Sequence, residues 1–456
     1  MAIVGAGISG LACAYFLQKK GFPALLLEKK ERAGGVIQTE VRDGFLFELG
    51  PQSFLGTPAV RSLCDDLGLG GQLVQADSSA RRYVLSGGRL HRLPMGPPAL
   101  IRTGLLSPKA KWLLFTEPFR STQPPESDET VASFVRRKFG ETVLENLAAP
   151  FVSGVYAGDP EQLSLRSAFP MIFEWEKQFG SVVGGALRSG PKRNGPRPAL
   201  CSFRKGLATL TDALAAKLGD TCRLGVENLS ITRAAQAGNR GWMISLRRGA
   251  GPENVLVDGI VFATPTQASA TLLADLAAGM SRALFQIRYA PIVLAVMGYR
   301  REQIAHPVNG FGFLVGAKEQ RQVLGTVWNS SLFPERAPSG MVCMTTFLGG
   351  AMHPEVSSLG DSRICEIVGK ELGEILGVRG KPVTQVVHRQ ERAIPQYNVG
   401  HSEVLAELNA LTKELPGVFL TGNYLRGPSI GACIEEAERT ASAVSEYLRS
   451  VDQAKQ

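Results

Sequence analysis

The feature that most constrains this chain is its opening, "AIVGAGISGLACAYFLQKKGFPALLLEKK". "AIVG" has the composition of a buried strand. "ISGLACAYFLQKK" carries apolar residues at helical spacing and is closed by Gly21. "PALLLEKK" predicts a second buried strand ending at Glu28. Between strand and helix, Gly5, Gly7 and Gly10 fit the G-x-G-x-x-G pattern. The first glycine serves a tight turn, the second lets a pyrophosphate reach the backbone, and the third lets helix and sheet pack closely. The helix start then offers N–H groups and a positive dipole end to an anion. Alone the pattern also fits a structural turn. The strand–turn–helix–strand context, with an acid 18 residues after Gly10, is what a dinucleotide site requires. Glu28 can accept hydrogen bonds from both ribose hydroxyls, and Ala6, Ile8 and Ser9 complete the loop.

The next residues choose the cofactor. "ERAGGV" places Arg32, Gly34, Gly35 and Val36 directly after the acid. This resembles the R-x-G-G extension of flavoproteins in the amine oxidase and phytoene desaturase superfamily. "FELGPQSF" (47–54) resembles the segment that runs under the flavin ring there. Together they imply FAD in place of NAD.

Length and composition bound the remainder. At 456 residues, two or three domains are expected. The formal charge of +9 favours anionic partners such as carboxylated substrates or anionic lipid. No basic run interleaved with aromatics and no zinc-finger spacing appears, so no nucleic-acid partner is expected. Seven scattered cysteines without C-x-x-C suit reduced thiols and no metal. Five histidines include no pair at ligand spacing. No apolar run approaches the ~20 residues of a membrane span. With Met1 almost on the first strand, no leader is expected, and a cytoplasmic chain is expected, with peripheral membrane contact still open.

Further along, "RRYVLSGGRLHRL" predicts a hairpin. "ETVASFVRRKFGETVLENLAAPFVSGVYAGD" predicts two helices, with Val131, Phe134, Val135 and Phe139 on one face and Leu144, Leu147 and Phe151 on another. Arg188 to Leu200 reads as an exposed basic loop. A capped helix is expected from near Ser202, a strand entering a helix through "ATPT", strands over 290–350, and finally strand, Gly-rich loop and long helix. The fold class expected is α/β and α+β. A discontinuous Rossmann-type cofactor domain (1–72, 200–273, 385–456) joins a helical insert (73–199) and a mixed-sheet substrate domain (274–384).

Over nearly its whole length the chain resembles the oxygen-dependent protoporphyrinogen oxidase family. The resemblance is carried by "VGAGISGL", "ERAGGVIQT" and "FELGPQSF", then "GVYAGDPEQLSLRSAFP", "NGFGFLV", "LGTVWNSSLFPERAP", "IPQYNVGH" and "GNYLRGPSIGACI". It implies a homodimer with non-covalent FAD, a substrate domain and a membrane-associated helical domain. The implied reaction removes six electrons from a porphyrinogen in three rounds, with O2 reduced to H2O2. By matching motif, Gly5 to Gly10, Glu28, Arg32, Gly35, Val36, Gly50, Pro51, Gln52, Ser53, Val226, Asn423, Pro428, Ser429 and Ile430 would contact FAD. Arg82 would anchor a substrate propionate, since a guanidinium takes a carboxylate bidentately. Phe311, Leu314 and Phe347 would wall the macrocycle, and Gly154 and Gly158 would let it lie near backbone. No protein base is assigned, since the flavin performs the redox step. His401 reads as a structural histidine and Cys433 as a packed thiol, with "GACI" lacking the Asp of many relatives. Within the class, coproporphyrinogen oxidation is the alternative, and the Arg81–Arg82 pair keeps it open. An amine oxidase or carotenoid desaturase fits the motifs less well. From another class, a flavin-bound tetrapyrrole carrier without turnover would share them.

Overall fold

The computed structural model describes residues 1–94, 96–188, 199–234, 241–249 and 251–455. A five-stranded parallel sheet gathers short strands from distant parts of the chain. Its order is Cys222–Arg223, Leu25–Leu27, Ala2–Val4, Ile260–Phe262, Val418–Leu420. Both faces are covered, so the strands are apolar throughout rather than alternating. Ile3, Leu26 and Val261 point to one side, against the helices Ile8–Lys19, Ala208–Leu218 and Ile430–Lys455. Ala2, Val4, Ile260 and Phe262 point to the other. There they meet the antiparallel sheet 227–257 and the helices Thr266–Leu273, Ala278–Gln286 and His401–Lys413.

A seven-stranded mixed sheet forms the second layer. Its order is Thr384–Pro395, Tyr289–Arg300, Met341–Gly349, Val323–Val327, Gly312–Val315, Arg82–Ser86, Arg89–Arg92. Only the Gly312–Val315 and Arg82–Ser86 pair runs parallel. The helix Asp361–Leu376 covers one face through Ile364, Val368 and Leu372. The opposite face receives Phe45, Phe47 and Leu49 from the N-terminal segment.

Two expected divisions fall inside this sheet. The hairpin 82–92 and the strand Thr384–Pro395 both hydrogen-bond into it. Both edges of the sheet are thus built from chain lying close to the expected boundaries at 73 and 385. The helix expected from Ser202 begins at Ala208. Ser202 lies in the strand Leu200–Phe203, which pairs with both Phe54–Leu55 and Leu73–Gln75.

The region 97–188 is helical. Val131, Phe134, Val135 and Phe139 are buried as expected, but Phe151 is 50% exposed. Its core is tied by a buried ionic network. The Lys138 ammonium lies 3.3 Å from Glu117 and 3.0 Å from Glu176, and donates to Gly180 O at 3.0 Å. No described helix is long and apolar enough to cross a membrane. Of the expected basic loop at 188–200, residues 189–198 lie outside the described residues.

Candidate functional site

The N-terminal glycine loop forms a cradle for an anion. Gly5 leaves the first strand with its N–H donating to Leu27 O at 2.7 Å. Gly10 has no room for a side chain, since a Cβ there would sit 1.9 Å from Gly5 O. The helix begins at Ile8 with Gly7 as its cap, and no side chain caps it. The first-turn N–H groups of Ile8, Ser9 and Gly10 therefore remain for a ligand. The second glycine loop lies directly against the first. Gly34 N–H donates to Ala6 O at 2.8 Å, and a Cβ on Gly35 would stand 3.0 Å from Gly7 Cα.

Glu28 is fixed at the end of its strand. One carboxylate oxygen accepts from Ala6 N–H at 2.8 Å, the other from Lys30 N–H at 2.9 Å. Each oxygen keeps acceptor capacity for a ribose hydroxyl. Val226, buried beside it, donates its N–H to Glu28 O at 2.9 Å. An anionic dinucleotide fits this set: a side-chain-free cradle, an open helix start and a held carboxylate. The Arg32 guanidinium, expected at the pyrophosphate, also donates to the carbonyls of Ala33, Ile37 and Gly35 and so braces the glycine turn.

The segment 50–53 crosses above this cradle, with Gly50 packed on the carbonyl of Val36. Gln52 belongs to the segment expected beside the isoalloxazine, and its side chain is engaged within the protein. Nε2 donates to Glu48 O at 3.1 Å and Gly50 O at 2.8 Å. Oε1 accepts from Asn329 Nδ2 at 2.5 Å and lies 3.0 Å from the Thr345 hydroxyl. A primary amide has two N–H donors and one carbonyl, so nothing on Nε2 is left for a ligand. Pro51 and Ser53 sit on either side, both half-buried. Beneath them, Glu48 and Arg336 form a buried pair at 3.3 Å. Burial pushes the Glu48 carboxyl up to about 7.

The C-terminal loop is clamped from below. The Tyr397 hydroxyl donates to Asn423 O, and His401 Nε2 lies 2.9 Å from Tyr424 O. Since a carbonyl only accepts, that ring nitrogen carries the proton. Burial holds His401 below the ordinary imidazole range, which favours the neutral form. The structural reading of His401 follows. Pro428 leads into the cap, where Ser429 Oγ accepts from Ala432 N–H at 3.2 Å, and Ile430 starts the last helix. Cys433 is buried and its thiol is pushed up to about 11 by burial, leaving it a packed, unreactive group.

Of the expected macrocycle walls, Leu314 and Phe347 share one face of the seven-stranded sheet, while Phe311 precedes the strand and packs against Ala76, Leu332 and Phe333. Leu314 registers with Gly325, Gly325 with Phe347, and Phe347 with Leu294. Gly325 puts no side chain between Leu314 and Phe347, whose backbones stand two strands apart, about 10 Å. Arg82, paired with Gly312, projects on the same face and holds its guanidinium over the Phe311 ring at 5.3 Å. Among the described residues Arg82 has no carboxylate partner within ion-pair distance. Gly154 and Gly158 have neighbours inside the protein. A Cβ at Gly154 would fall 2.4 Å from Leu314 Cδ2, and one at Gly158 would fall 2.7 Å from Gln396 Oε1. Phe151, Gly154 and Val155 share a helix face by spacing and are all exposed, with Gly154 beside Leu314. This is why Phe151 is not core.

Sequence reasoning missed Gln396, Asn329, Thr345, Glu48, Arg336 and Gly325. Each acts through partners distant in sequence and carries no local pattern.

A model of the flavin containing amine oxidoreductase family matches residues 8–445. The chloroplastic protoporphyrinogen oxidase of Nicotiana tabacum is 35% identical over 472 residues, covering 98% of this chain and 85% of that one. The coproporphyrinogen III oxidase of Bacillus subtilis (strain 168) is 29% identical over 99% of this chain and 98% of its own. A crystal structure of a protein from Exiguobacterium sp. 255-15 matches with a TM-score of 0.83 at 26% identity, over 98% of each chain.

Proposed function

This chain belongs to the protoporphyrinogen oxidase family of flavin containing amine oxidoreductases, and from that premise we propose that it oxidises protoporphyrinogen IX to protoporphyrin IX in porphyrin biosynthesis. FAD, held non-covalently, supplies the two-electron acceptor, with O2 as the final oxidant and H2O2 as its product over three rounds. The observation that carries the reading is the uncommitted Arg82 guanidinium beside the row Leu314, Gly325, Phe347, on the sheet face turned toward the segment 45–53. A cation at the end of an apolar slot suits a flat, carboxylated macrocycle. Gly5 to Gly10, Glu28, Gly35, Val36 and the turn 423–430 would hold the cofactor. The side chains otherwise orient substrate and exclude water, and the chemistry is the cofactor's.

Arg81 beside Arg82 supports a second reading, coproporphyrinogen III oxidation to coproporphyrin III, because that substrate brings four carboxylates. Aerobic turnover of both porphyrinogens, followed by porphyrin fluorescence and H2O2 release, separates them. Faster use of coproporphyrinogen would overturn the first reading. No flavin bleaching with either would leave the carrier.

Ile101, Trp112, Phe115 and Phe119 are exposed near Arg102, Lys109 and Lys111. On that basis the helical region would rest on an anionic membrane surface from the cytoplasmic side, in a homodimer. Co-sedimentation with anionic vesicles at low salt tests the first point and sedimentation equilibrium the second.

A further inference from the structure

The side chain of Gln52 joins two parts of the molecule that chemistry must hold in fixed relation. On one side it is tied to the backbone of its own segment, through Glu48 O and Gly50 O. These two carbonyls also set its orientation. A flipped amide would turn its oxygen onto both of them. On the other side its oxygen meets Asn329 Nδ2 and the Thr345 hydroxyl. Asn329 and Thr345 are almost wholly buried, at 3% and 0% exposed. They are also in contact with each other, since Asn329 Oδ1 lies 2.9 Å from Thr345 Oγ1. The hydroxyl has one proton for two acceptors, so Asn329 provides the constant bond to Gln52 and Thr345 a shared one.

Thr345 occupies the strand Met341–Gly349 two residues before Phe347. Residues two apart on a strand share a face. The face that presents Phe347 as a macrocycle wall therefore also presents the hydroxyl that reaches Gln52. Thr345 registers with Val327 in the next strand, one step along from the Phe347–Gly325–Leu314 row. Gln52 thus links the flavin-side segment to the row that would grip substrate, through groups with no exit to solvent.

We propose that Gln52 is a positioning residue: its amide sets the separation between the flavin-facing segment 50–53 and the macrocycle wall on the seven-stranded sheet. The proposal rests on the porphyrinogen oxidase reading for its substrate arm and on the FAD reading of the segment 50–53 for its cofactor arm. It touches no reacting atom. It acts by fixing the reactant's approach to the cofactor, where a displacement of about 1 Å is enough to cost a hundredfold in rate.

The test uses the full chain with Gln52→Leu, Thr345→Val and the double variant, plus Gln52→Glu. Thr345→Val keeps shape and removes only the hydroxyl, so it guards against a folding defect at position 52. FAD titrated into apoprotein should bind within about threefold of wild type in both single variants, because neither removes a cofactor contact. Protoporphyrin IX, added to the holoproteins, should perturb the flavin's visible absorption in wild type and do so less in both variants. With porphyrinogen under anaerobic conditions, flavin reduction should slow about tenfold in each single variant, with KM within about twofold, and the double variant should lose no more than the worse single. Gln52→Glu, which keeps the acceptor for Asn329 and Thr345 but sets its second oxygen against Glu48 O and Gly50 O, should be no faster than Gln52→Leu. A tenfold loss of FAD affinity with normal reduction at saturating FAD would make Gln52 a cofactor ligand and overturn the proposal. So would additive losses in the double variant, or a porphyrin response identical in all proteins. If wild type oxidises neither porphyrinogen, the functional reading fails, while the FAD and porphyrin titrations still decide the role of Gln52.

Discussion

The rings of Tyr397 and His401 are stacked, with centroids 4.5 Å apart and planes inclined by 13°. Each reaches the same turn, Tyr397 at Asn423 O and His401 at Tyr424 O. Both donors are buried, while Asn423 is half-buried. Tyr397→Phe should therefore destabilise the protein by about 1 kcal/mol, the net worth of one hydrogen bond. The loosened turn is the one expected to face FAD, so cofactor release should accelerate as well. Thermal melts with and without FAD, and stopped-flow release, measure both.

His401 also makes the clamp pH-dependent. Burial lowers its pKa, outweighing the upward pull of Tyr424 O and Glu403. The unfolded chain takes a proton on this residue below the ordinary value of 6.5, while the folded chain resists it. The unfolded state then binds more protons, so stability falls as pH drops through that value. Other buried groups titrate nearby, Glu48 in the opposite sense, and a difference measurement cancels them. The stability lost in His401→Gln relative to wild type should be largest near pH 8 and should shrink below about pH 6.5. A constant difference across that range would mean that His401 protonates as freely in the fold as outside it.

The cofactor half of the molecule was legible because its signals are local. A three-residue strand, a glycine loop, a helix and an acid lie within 28 residues, and backbone geometry leaves few ways to join them. The substrate half was legible only as motif resemblance. Leu314 and Phe347 become neighbours through register across Gly325, which no periodicity encodes. Ser202 misled because "SFRKG" reads as a helix cap. Two partner strands, at 54–55 and 73–75, claim it for a sheet instead. The role of Gln52 was hidden for another reason: the partners of its amide oxygen lie more than 270 residues away.

Arg82 should govern affinity more than turnover. It stands exposed over Phe311 with no described carboxylate beside it, so its charge is available to substrate in ground and transition states alike. Arg82→Ala should raise KM about tenfold and leave kcat within about threefold. Arg81→Ala is the control, with a smaller effect on protoporphyrinogen. Steady-state kinetics on both variants decide, and an unchanged KM removes Arg82 from the site.

Gly154 and Leu314 should behave as a pair. A methyl group at 154 would lie 2.4 Å from Leu314 Cδ2, too close without a shift of the leucine. That leucine is also an expected wall of the macrocycle slot. Gly154→Ala should therefore raise KM several-fold with little loss of melting temperature, since the helix itself gains from alanine by roughly 0.5–1 kcal/mol. Adding Leu314→Val, which withdraws the clashing methyl, should restore part of the affinity. Additive damage in the double variant would show that the two residues do not share the space.

The helical region offers a stability test free of any ligand. Lys138 is 1% exposed and neutralises two carboxylates that are themselves wholly buried. Glu117 has other partners: Ser181 Oγ at 2.6 Å and the N–H groups of Val182 and Val183 at 2.9 and 3.0 Å. Glu176 also pairs with Arg137 at 2.7 Å. Even so, Lys138→Met would leave the site with uncompensated negative charge, and a broken buried pair costs about 3–5 kcal/mol. Replacing all three residues, with Glu117→Gln and Glu176→Gln added, should be milder than the single change. The charge is then removed along with its partner, and the amides can keep part of the hydrogen bonding. Urea denaturation of the three proteins, read by a probe in the helical region, gives the order. A single variant no weaker than the triple would show that the network is solvated.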